Sequence, residues 1–293
     1  MRIPDWLIYT IVLVAISAAV FLHDERRDAG LTIPADIPGA AEPGPGAASE
    51  TPPGSVGPLL PGPAPLDERV LVQVGDVEDG IGTAFAINRQ GDWLTARHVV
   101  DGCSMVGLDL GDGRVVKAED VWTSADSDLA LIRTDRAPAT VPVDPLQPLR
   151  IGDPGYHVGF PQGRSGEVSS RLLARSRLVT RGRYQLDESV LAWVEKDRSD
   201  GLEGTLAGMS GGPVFDADGE VVGVTVAESP RRGRIYTAAP DSIARFLQRS
   251  GAIAASDEGR PIAQASYHGE ADRMRKSQAV MKVVCIAAHS ALR

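Results

Sequence analysis

The chain has 293 residues, of which 43% are hydrophobic, and its formal net charge is −9. This length and apolar content suffice for a sizeable buried core, in one large domain or two small ones. The basic residues are scattered and outnumbered by acidic ones, which argues against a nucleic-acid-binding protein. With only two cysteines, the chain is not a small disulfide scaffold.

The N-terminal residues predict a membrane anchor. Residues 6–22 carry no charged side chain. The length of this run is at the lower edge of what spans a bilayer as a helix. Trp6 and Tyr9 suit the membrane interface. A cleaved signal peptide is the alternative, because residues 17–19 offer a small-residue cleavage site. We favour an uncleaved single-pass helix within residues 1–28, whose orientation the flanking charges leave open.

A linker follows the anchor. Residues 29–66 are dense in proline, glycine and alanine and contain no aromatic side chain. Such a segment buries too little apolar surface to offset its ordering entropy, so we expect a disordered tether that contributes nothing to the folded core. The folded domain is then expected over residues 67–251.

Short β-patterned runs fill this domain. Six runs precede a break rich in proline and glycine at residues 137–155, and six follow it, without intervening helices. The runs are RVLVQVG, GTAFAI, WLTA, SMVGLDL, VVKAEDVW and LALIRT, then YHVGF, EVSSRLLARSRLV, SVLAWVE, GPVFD, EVVGVTVA and RIYTAA. The pattern predicts an all-β fold of two packed six-stranded antiparallel β-barrels.

One helix is predicted to close the domain. It begins at Pro240 or Asp241, places Ile243, Phe246 and Leu247 on one face, and ends before Gly251. Residues 252–293 are expected to form a C-terminal extension that packs on the domain.

A histidine, an aspartate and a serine stand out among these elements. His98 follows an apolar strand, Asp128 precedes the run LALIRT, and Ser210 lies among glycines in AGMSGGPVFD. A serine hydroxyl becomes a nucleophile when an imidazole takes its proton and a carboxylate orients that imidazole, so these residue types suit a catalytic triad. The other histidines are expected to be surface or packed residues: His23, His157, His268 and His289.

Five sequence pieces carry a family resemblance. They are GTAFAI with LTARHVV, DSDLALIR, GDPGYHVGFPQG, GMSGGPVFDADGEVVGV and IYTAAP. On these pieces residues 69–250 resemble the chymotrypsin-fold, or trypsin-like, serine proteases, most closely the protease domain of the Deg/HtrA family. The resemblance implies that His98 is the general base, Asp128 orients it and Ser210 is the nucleophile. Asp126 has the same strand parity as Asp128, but the family pattern of aspartate, hydrophobic, alanine, hydrophobic selects Asp128.

The resemblance also assigns the glycines around the serine. In this family the backbone N–H groups of the nucleophile and of the residue two before it form the oxyanion hole, which here means Ser210 and Gly208. The stretch also matches G-x-S-x-G, the elbow of α/β-hydrolases. An elbow needs a strand before it and a helix after it, and the sequence around Ser210 provides neither.

Two features depart from the wider family. Met209 stands where trypsin-like zymogens have an aspartate that pairs with a newly cut amino terminus, so that mode of activation is not expected. Order in the loop 201–209 must then have another source, of which substrate is one candidate. Too few residues follow Ser250 for the peptide-binding PDZ domain of many Deg/HtrA proteins, so none is expected.

The primary substrate pocket is the part of the site that the sequence defines least. Alignment places its floor near Gly204 and Thr205 and a wall near Val226 and Glu228. Glu228 favours a basic substrate side chain and Arg234 counteracts it, so no specificity is predicted.

The two cysteines are predicted to form a disulfide. Cys103 follows the His98 turn and Cys285 lies in the final apolar run, VMKVVCIA. Two unrelated buried thiols are the alternative, since sequence alone does not fix their distance. An even cysteine count in a domain outside the inner membrane favours pairing, which would pin the last strand beside the histidine turn.

Together these expectations describe a bacterial membrane-tethered serine endopeptidase, single-pass in the inner membrane with a periplasmic or extracytoplasmic domain. It would cleave proteins or peptides in envelope quality control or regulated proteolysis, without a cofactor or metal, and its oligomeric state is left open. Two alternatives remain: a catalytically silent peptide-binding module or pseudoprotease, and an esterase or other non-peptide hydrolase on the same fold.

Overall fold

Two seven-stranded β-sheets form the framework of the chain that the computed structural model describes, residues 57–143 and 148–288. The strands are β1 (Glu68–Val74), β2 (Gly80–Ala86), β3 (Asp92–Ala96), β4 (Met105–Gly111), β5 (Arg114–Lys117), β6 (Asp120–Thr123), β7 (Leu129–Arg133), β8 (Pro154–Gly159), β9 (Gly166–Gly182), β10 (Leu186–Arg198), β11 (Pro213–Phe215), β12 (Val221–Ser229), β13 (Arg234–Ala238) and β14 (Val280–Ile286). The helices are α1 (Arg97–Val100), α2 (Pro240–Ser250) and α3 (Tyr267–Lys276).

The predicted anchor and most of the predicted linker lie outside the described residues, as do His23 and His289. Within residues 57–143 and 148–288, none of the helices combines the length and the apolar character needed to cross a membrane.

The first sheet has the strand order β5-β4-β14-β2-β3-β7-β6, and all its pairings are antiparallel. The second has the order β1-β9-β10-β13-β12-β11-β8, and a further pairing of β8 with β9 closes it. The two sheets confirm the prediction of a mostly β fold with two packed halves.

The strand number and partners differ from the prediction of six antiparallel strands in each half. β1, expected in the first half, pairs in parallel with β9 of the second. β14, expected to pack on the domain, lies inside the first sheet between β2 and β4. The run VVKAEDVW forms two strands, β5 and β6. Alternation of apolar side chains identifies a strand but does not name its neighbour, which explains these differences.

Helix α2 confirms the predicted closing helix. Pro240 is its first residue, its buried side chains include Ile243, Phe246 and Leu247, and Gly251 follows in a left-handed conformation with φ of +67°. That conformation favours glycine because it lacks a Cβ atom.

Helix α3 was not predicted. It buries only Tyr267, Ala271 and Met274, spaced at one-turn intervals, among polar residues. This narrow apolar stripe, interrupted by Gly269, gives a weak helical signal.

A disulfide joins Cys103, just after α1, to Cys285 of β14, with a Cα–Cα distance of 5.5 Å. Cys285 pairs across the sheet with Gly80 of β2 and Val106 of β4. The last strand is therefore fixed beside the turn that carries His98.

His157 on β8 is fully buried, as its predicted packed position requires. Its Nε2 atom lies 2.9 Å from the Ser170 hydroxyl, and its ring meets the Trp193 ring edge-on. Burial lowers the pKa of His157 to about 3, so the ring is neutral and serves packing.

The folded domain begins before the predicted boundary at residue 67. The Leu60 N–H donates to the Leu149 carbonyl at 2.8 Å, and the Ile151 N–H donates to the Pro58 carbonyl at 3.0 Å. Leu60 also packs against the buried cluster of the second sheet. The end of the proline-rich segment is therefore part of the domain, because one apolar side chain and backbone pairing suffice to order it.

Candidate active site

His98, Asp128 and Ser210 line one cavity of about 380 Å³. His98 lies on α1 directly after β3, and Asp128 lies in the turn that leads into β7, so the first sheet supplies both. Ser210 lies in the loop before β11 of the second sheet. The cavity is therefore built where the two sheets meet.

Asp128 holds the His98 side chain at two points. The imidazole Nδ1 atom lies 2.7 Å from one carboxylate oxygen, and the His98 backbone N–H donates to the other at 2.9 Å. Asp128 is only 2% exposed, so these bonds are protected from water. With Nδ1 occupied by Asp128, Nε2 is the ring nitrogen left to accept a proton from a nucleophile.

The electrostatic environment raises the pKa of His98 above its ordinary value. Burial is the largest single influence and lowers it, but the charge and hydrogen bond of Asp128 together raise it by more, and the charge of Arg183 opposes Asp128. The raised pKa makes the neutral imidazole a stronger base towards a serine hydroxyl.

The rival aspartate is engaged elsewhere. Asp126 pairs with Arg249 at 2.7 Å and accepts a hydrogen bond from the Ser124 hydroxyl at 2.9 Å. The structure therefore brings Asp128, and not Asp126, to His98.

Glycines around Ser210 permit a tight backbone path. Gly208 has φ of +97°, and a Cβ atom there would lie 2.5 Å from the Phe160 carbonyl oxygen. Gly211 has φ of +85°, and its Cβ would collide with the Thr83 carbonyl oxygen. Both positions therefore require glycine, which explains the residues that flank the serine.

The backbone N–H groups of Gly208 and Ser210 are available as donors. Among the described residues, neither group donates a hydrogen bond within the protein. The Ala207 carbonyl accepts from the Gln162 N–H at 2.5 Å, and because a trans peptide is planar, the Gly208 N–H points the opposite way. The Thr83 hydroxyl donates to the Gly208 carbonyl at 2.8 Å, and the Thr83 N–H to the Ser210 carbonyl at 2.8 Å.

The loop 201–209 is ordered by contacts within the chain. The Gln162 side-chain amide donates to the Glu203 carbonyl at 2.6 Å and the Thr205 carbonyl at 2.8 Å. Arg198 donates to the Gly204 carbonyl at 3.1 Å, and Met209 is fully buried. A substrate is therefore not needed to order this loop.

Three of the four predicted pocket residues lie away from the cavity. Val226 lines it, whereas Gly204, Thr205 and Glu228 do not. The Glu228 carboxylate accepts from the Leu206 N–H at 2.9 Å and from the Thr205 hydroxyl, so it holds the loop together. No specificity was predicted from Glu228, and because its oxygens are engaged within the loop, the structure gives no reason to add a preference for a basic substrate side chain.

Sequence reasoning missed two residues that contact Asp128. The Tyr184 hydroxyl donates to an Asp128 carboxylate oxygen at 2.9 Å, and the Asp128 N–H donates to the Glu188 carboxylate at 2.7 Å. Both belong to the β9–β10 hairpin, which is 56 residues and more further along the chain. No local sequence pattern predicts a contact between residues so far apart in the chain.

Within the described ranges, no group of three or more histidine, cysteine, aspartate or glutamate side chains is placed to hold a metal ion.

The packed sheets, with a histidine and aspartate on one and a serine in a glycine-rich loop on the other, define a chymotrypsin-like protease fold. The Rv3671c protease from M. tuberculosis, in a crystal structure of its active form, matches with a TM-score of 0.50 and 22% identity. The match covers 62% of this chain and 78% of that one, and it supports the shared fold.

Sequence comparison shows which known proteins the chain is similar to. The trypsin-like peptidase domain matches residues 82–224. The chain is 32% identical over 194 residues to the putative serine protease HhoA of Synechocystis sp., covering 64% of this chain and 45% of the relative. It is 30% identical over 155 residues to a probable periplasmic serine endoprotease, DegP-like, of Halomonas elongata, covering 52% and 30%. The chain carries a trypsin-like peptidase domain and is homologous to DegP/HtrA serine proteases, and it spans less than half the length of these two relatives.

Proposed function

We propose that this chain is a membrane-tethered serine endopeptidase that hydrolyses peptide bonds through Ser210, His98 and Asp128. The observation that carries the proposal is the Asp128-bound imidazole in one cavity with Ser210 and two backbone N–H groups that lack acceptors. A nucleophile, a base, a residue that orients the base and an oxyanion site are the parts that acyl transfer requires.

The proposed reaction follows from these positions. Ser210 Oγ attacks the scissile carbonyl carbon while His98 Nε2 takes the hydroxyl proton, and the Gly208 and Ser210 N–H groups bind the oxyanion. His98 then gives the proton to the leaving amine, which leaves an acyl group on Ser210. Water activated by His98 hydrolyses that ester and restores the serine.

Among the described residues, the Ser210 hydroxyl makes no hydrogen bond to His98. In the proposed mechanism this bond forms when substrate binds, because such bonds are commonly long without substrate and tighten in the complex. The competing function is a peptide-binding module in which the triad is silent.

The proposed location is the periplasmic side of a bacterial inner membrane, with proteins or peptides as substrates in envelope quality control or regulated proteolysis. The apolar residues 6–22, the Cys103–Cys285 disulfide and the periplasmic DegP-like relatives support it. Fractionation of cells and protease accessibility of the folded domain test it.

A fluorophosphonate probe tests the activity on the full chain. We expect labelling of the wild type and casein cleavage, and loss of both in Ser210→Ala. Ser165→Ala, which removes an exposed serine outside the cavity, is the matched control and should retain both. A folded wild type that is neither labelled nor active with casein would favour the silent binding module. Labelling with ester hydrolysis but no peptide cleavage would favour the esterase.

A further inference from the structure

The β9–β10 hairpin reaches from the second sheet to the catalytic pair of the first. We propose that Tyr184, at the tip of this hairpin, is a positioning residue that acts through Asp128 to set the orientation and basicity of His98. The inference rests on the proposed function for its kinetic consequence. Its structural part concerns only Tyr184, Asp128 and His98.

The Asp128 carboxylate accepts three hydrogen bonds, and Tyr184 supplies one of them. One carboxylate oxygen faces His98 Nδ1, whereas the other accepts from both the His98 N–H and the Tyr184 hydroxyl, each at 2.9 Å. A carboxylate rotates about its last side-chain bond unless both oxygens are held. Tyr184 therefore helps to keep the opposite oxygen aimed at the imidazole.

The environment of Tyr184 keeps its hydroxyl protonated, so that it donates this hydrogen bond. The residue is 9% exposed, and burial, followed by the nearby charge of Asp128, raises the pKa of its hydroxyl far above the ordinary value. The Arg97 guanidinium lies 4.0 Å from the centre of the ring and fixes its plane. The hydroxyl thus stays protonated and acts as a donor to a buried acceptor.

The backbone around the hairpin tip is also fixed. Gly182 has φ of +109°, and a Cβ atom there would collide with the Val74 carbonyl oxygen. The same carbonyl accepts from the Arg183 N–H at 3.2 Å, and the Leu186 N–H donates to the Thr180 hydroxyl at 2.8 Å. The parallel pairing of β1 with β9 therefore supports the position of Tyr184.

The hairpin makes a second hydrogen bond to Asp128. The Asp128 backbone N–H donates to the Glu188 carboxylate at 2.7 Å, four residues beyond Tyr184. Two side chains from the second sheet therefore hold Asp128 of the first sheet: Tyr184 binds its carboxylate and Glu188 binds its backbone N–H. Of the two contacts, that of Tyr184 ends on the carboxylate that also bonds His98, so a change at Tyr184 acts on the imidazole through Asp128.

Removing the Tyr184 hydroxyl should change the pKa of His98 in a direction that can be derived from the charge on Asp128. A donor on one carboxylate oxygen withdraws negative charge from Asp128, so its loss increases the attraction between Asp128 and protonated His98. The pKa of His98 should therefore rise when Tyr184 becomes phenylalanine. The titratable and charged groups around the ring remain the same in both proteins, and they are Asp128, Glu188, Arg97, Asp101, Arg183 and the cavity-lining Asp76, Glu78 and Asp79.

The test compares Tyr184→Phe with Tyr267→Phe in the full chain. Tyr267 is also buried and its hydroxyl also donates to an aspartate, Asp197 at 3.2 Å, and neither residue lines the cavity. The readout is the rate of fluorophosphonate labelling against pH, which needs no knowledge of the substrate. The loss of a hydrogen bond to a charged group should slow labelling at the plateau about 10-fold in Tyr184→Phe. Its acid limb should move to higher pH, and neither change should occur in Tyr267→Phe.

A readout that does not depend on activity separates this inference from the proposed function. NMR titration of the His98 ring in Ser210→Ala should show the same upward shift on adding Tyr184→Phe. If the wild type is not labelled but the titration shifts, the proposed protease activity fails and the positioning role of Tyr184 stands.

An unchanged His98 titration in a folded Tyr184→Phe protein would overturn the inference, even if labelling were slower. If Tyr184→Phe does not fold, 3-fluorotyrosine at position 184 replaces it. This analogue preserves the shape and is a stronger donor, so the His98 titration should move to lower pH. No movement with the analogue would likewise overturn the inference.

Discussion

At the residue scale, Arg183 is expected to tune the pH dependence of labelling. It lines the same cavity as His98, and its charge opposes that of Asp128. His98 acts as a base only when neutral, so the reaction is lost as the pH falls through the pKa of His98. Arg183→Gln removes a positive charge, which should raise that pKa and move the acid limb to higher pH.

The matched control for this charge is Arg181→Gln. Arg181 is exposed and does not line the cavity, so its removal should leave the acid limb in place. Labelling rates of the three proteins across pH give the comparison. Equal shifts in both variants would mean that net charge, and not the position of Arg183, controls the titration.

Glu188 is expected to make the fold less stable at alkaline pH. It is 5% exposed, and burial together with the Asp128 charge raises its pKa from 4.5 to about 8. Between these values the folded state binds more protons than the unfolded state, so the free energy of unfolding falls as the pH rises. Glu188→Gln keeps an acceptor for the Asp128 N–H and should remove this loss.

Urea unfolding at pH 5 and pH 9 measures the effect. The midpoint of Glu188→Gln should lie above that of the wild type at pH 9, and the difference should be much smaller at pH 5. Glu119→Gln, an exposed glutamate in the turn between β5 and β6, should change neither comparison. A Glu188→Gln protein that stays below the wild type at pH 9 would contradict the prediction.

The residues of the site differ in how much of their role the sequence predicts. His98, Asp128 and Ser210 were predicted because each lies in a local motif, and the structure places all three at one cavity. Tyr184 lies in no such motif, and Gln162 lies in the piece GDPGYHVGFPQG but was given no role there. Their contacts span 56 and 41 residues. The Tyr184 contact depends on how the two sheets are packed, and the Gln162 contact depends on how two loops of the second sheet meet.

At the element scale, the turn at Pro161–Gly163 is expected to control the oxyanion site through Gln162. Gln162 has φ of +53°, which directs its N–H to the Ala207 carbonyl and its side chain to the loop 201–209. Gln162→Gly preserves this backbone conformation and removes only the side-chain bonds. We expect kcat for peptide cleavage to fall about 10- to 100-fold with a smaller change in KM, because oxyanion donors act mainly in the transition state.

The control for this turn is Gln248→Ala, an exposed glutamine on α2. Its kcat and KM should equal those of the wild type. A Gln162→Gly protein in which only KM changes would indicate that the turn contacts substrate and does not position the oxyanion donors.

The elements also show which parts of the fold the sequence predicts. Period-2 patterns indicated most strands, and capping residues indicated α2. The partners of β1 and β14 were not predictable, because an alternating strand fits any sheet edge or gap with a complementary apolar face. Helix α3 escaped detection because its stability comes from packing Tyr267 and Met274 against the domain and not from its own sequence.

At the scale of the whole molecule, the Cys103–Cys285 disulfide ties the end of the chain to the first sheet. It closes a loop with a sequence separation of 182, and the entropy of the unfolded chain gives about 5 kcal/mol as an upper figure for its stabilisation. Replacing both cysteines by alanine should lower the urea midpoint under oxidising conditions. A reducing agent should lower the wild-type midpoint towards that of the variant, whose own midpoint should not change.

Mass mapping without reduction tests the bond in protein exported to the periplasm. The expected product is a peptide pair linked through Cys103 and Cys285. Two freely alkylated thiols in folded, exported protein would contradict both the bond and the argument from the disulfide for an extracytoplasmic location.

The start of the folded unit gives the last prediction. The contacts of Leu60, Pro58 and Gly57 with residues 149–151 place the boundary near residue 57. A chain that begins at residue 57 should therefore match the stability of one with the whole linker. A chain that begins at residue 63 loses two backbone hydrogen bonds and the burial of Leu60, which should cost about 1–3 kcal/mol.

Side-chain variants separate this packing from chain length. Leu60→Ala in the full chain should lower the urea midpoint, because Leu60 packs against the cluster of the second sheet. Leu66→Ala should not, because Leu66 is 97% exposed. Equal midpoints for the chains that begin at residues 57 and 63 would instead restore the boundary at residue 67. Since residues 57–61 lie outside the cavity, fluorophosphonate labelling per folded molecule should be the same in all of these proteins.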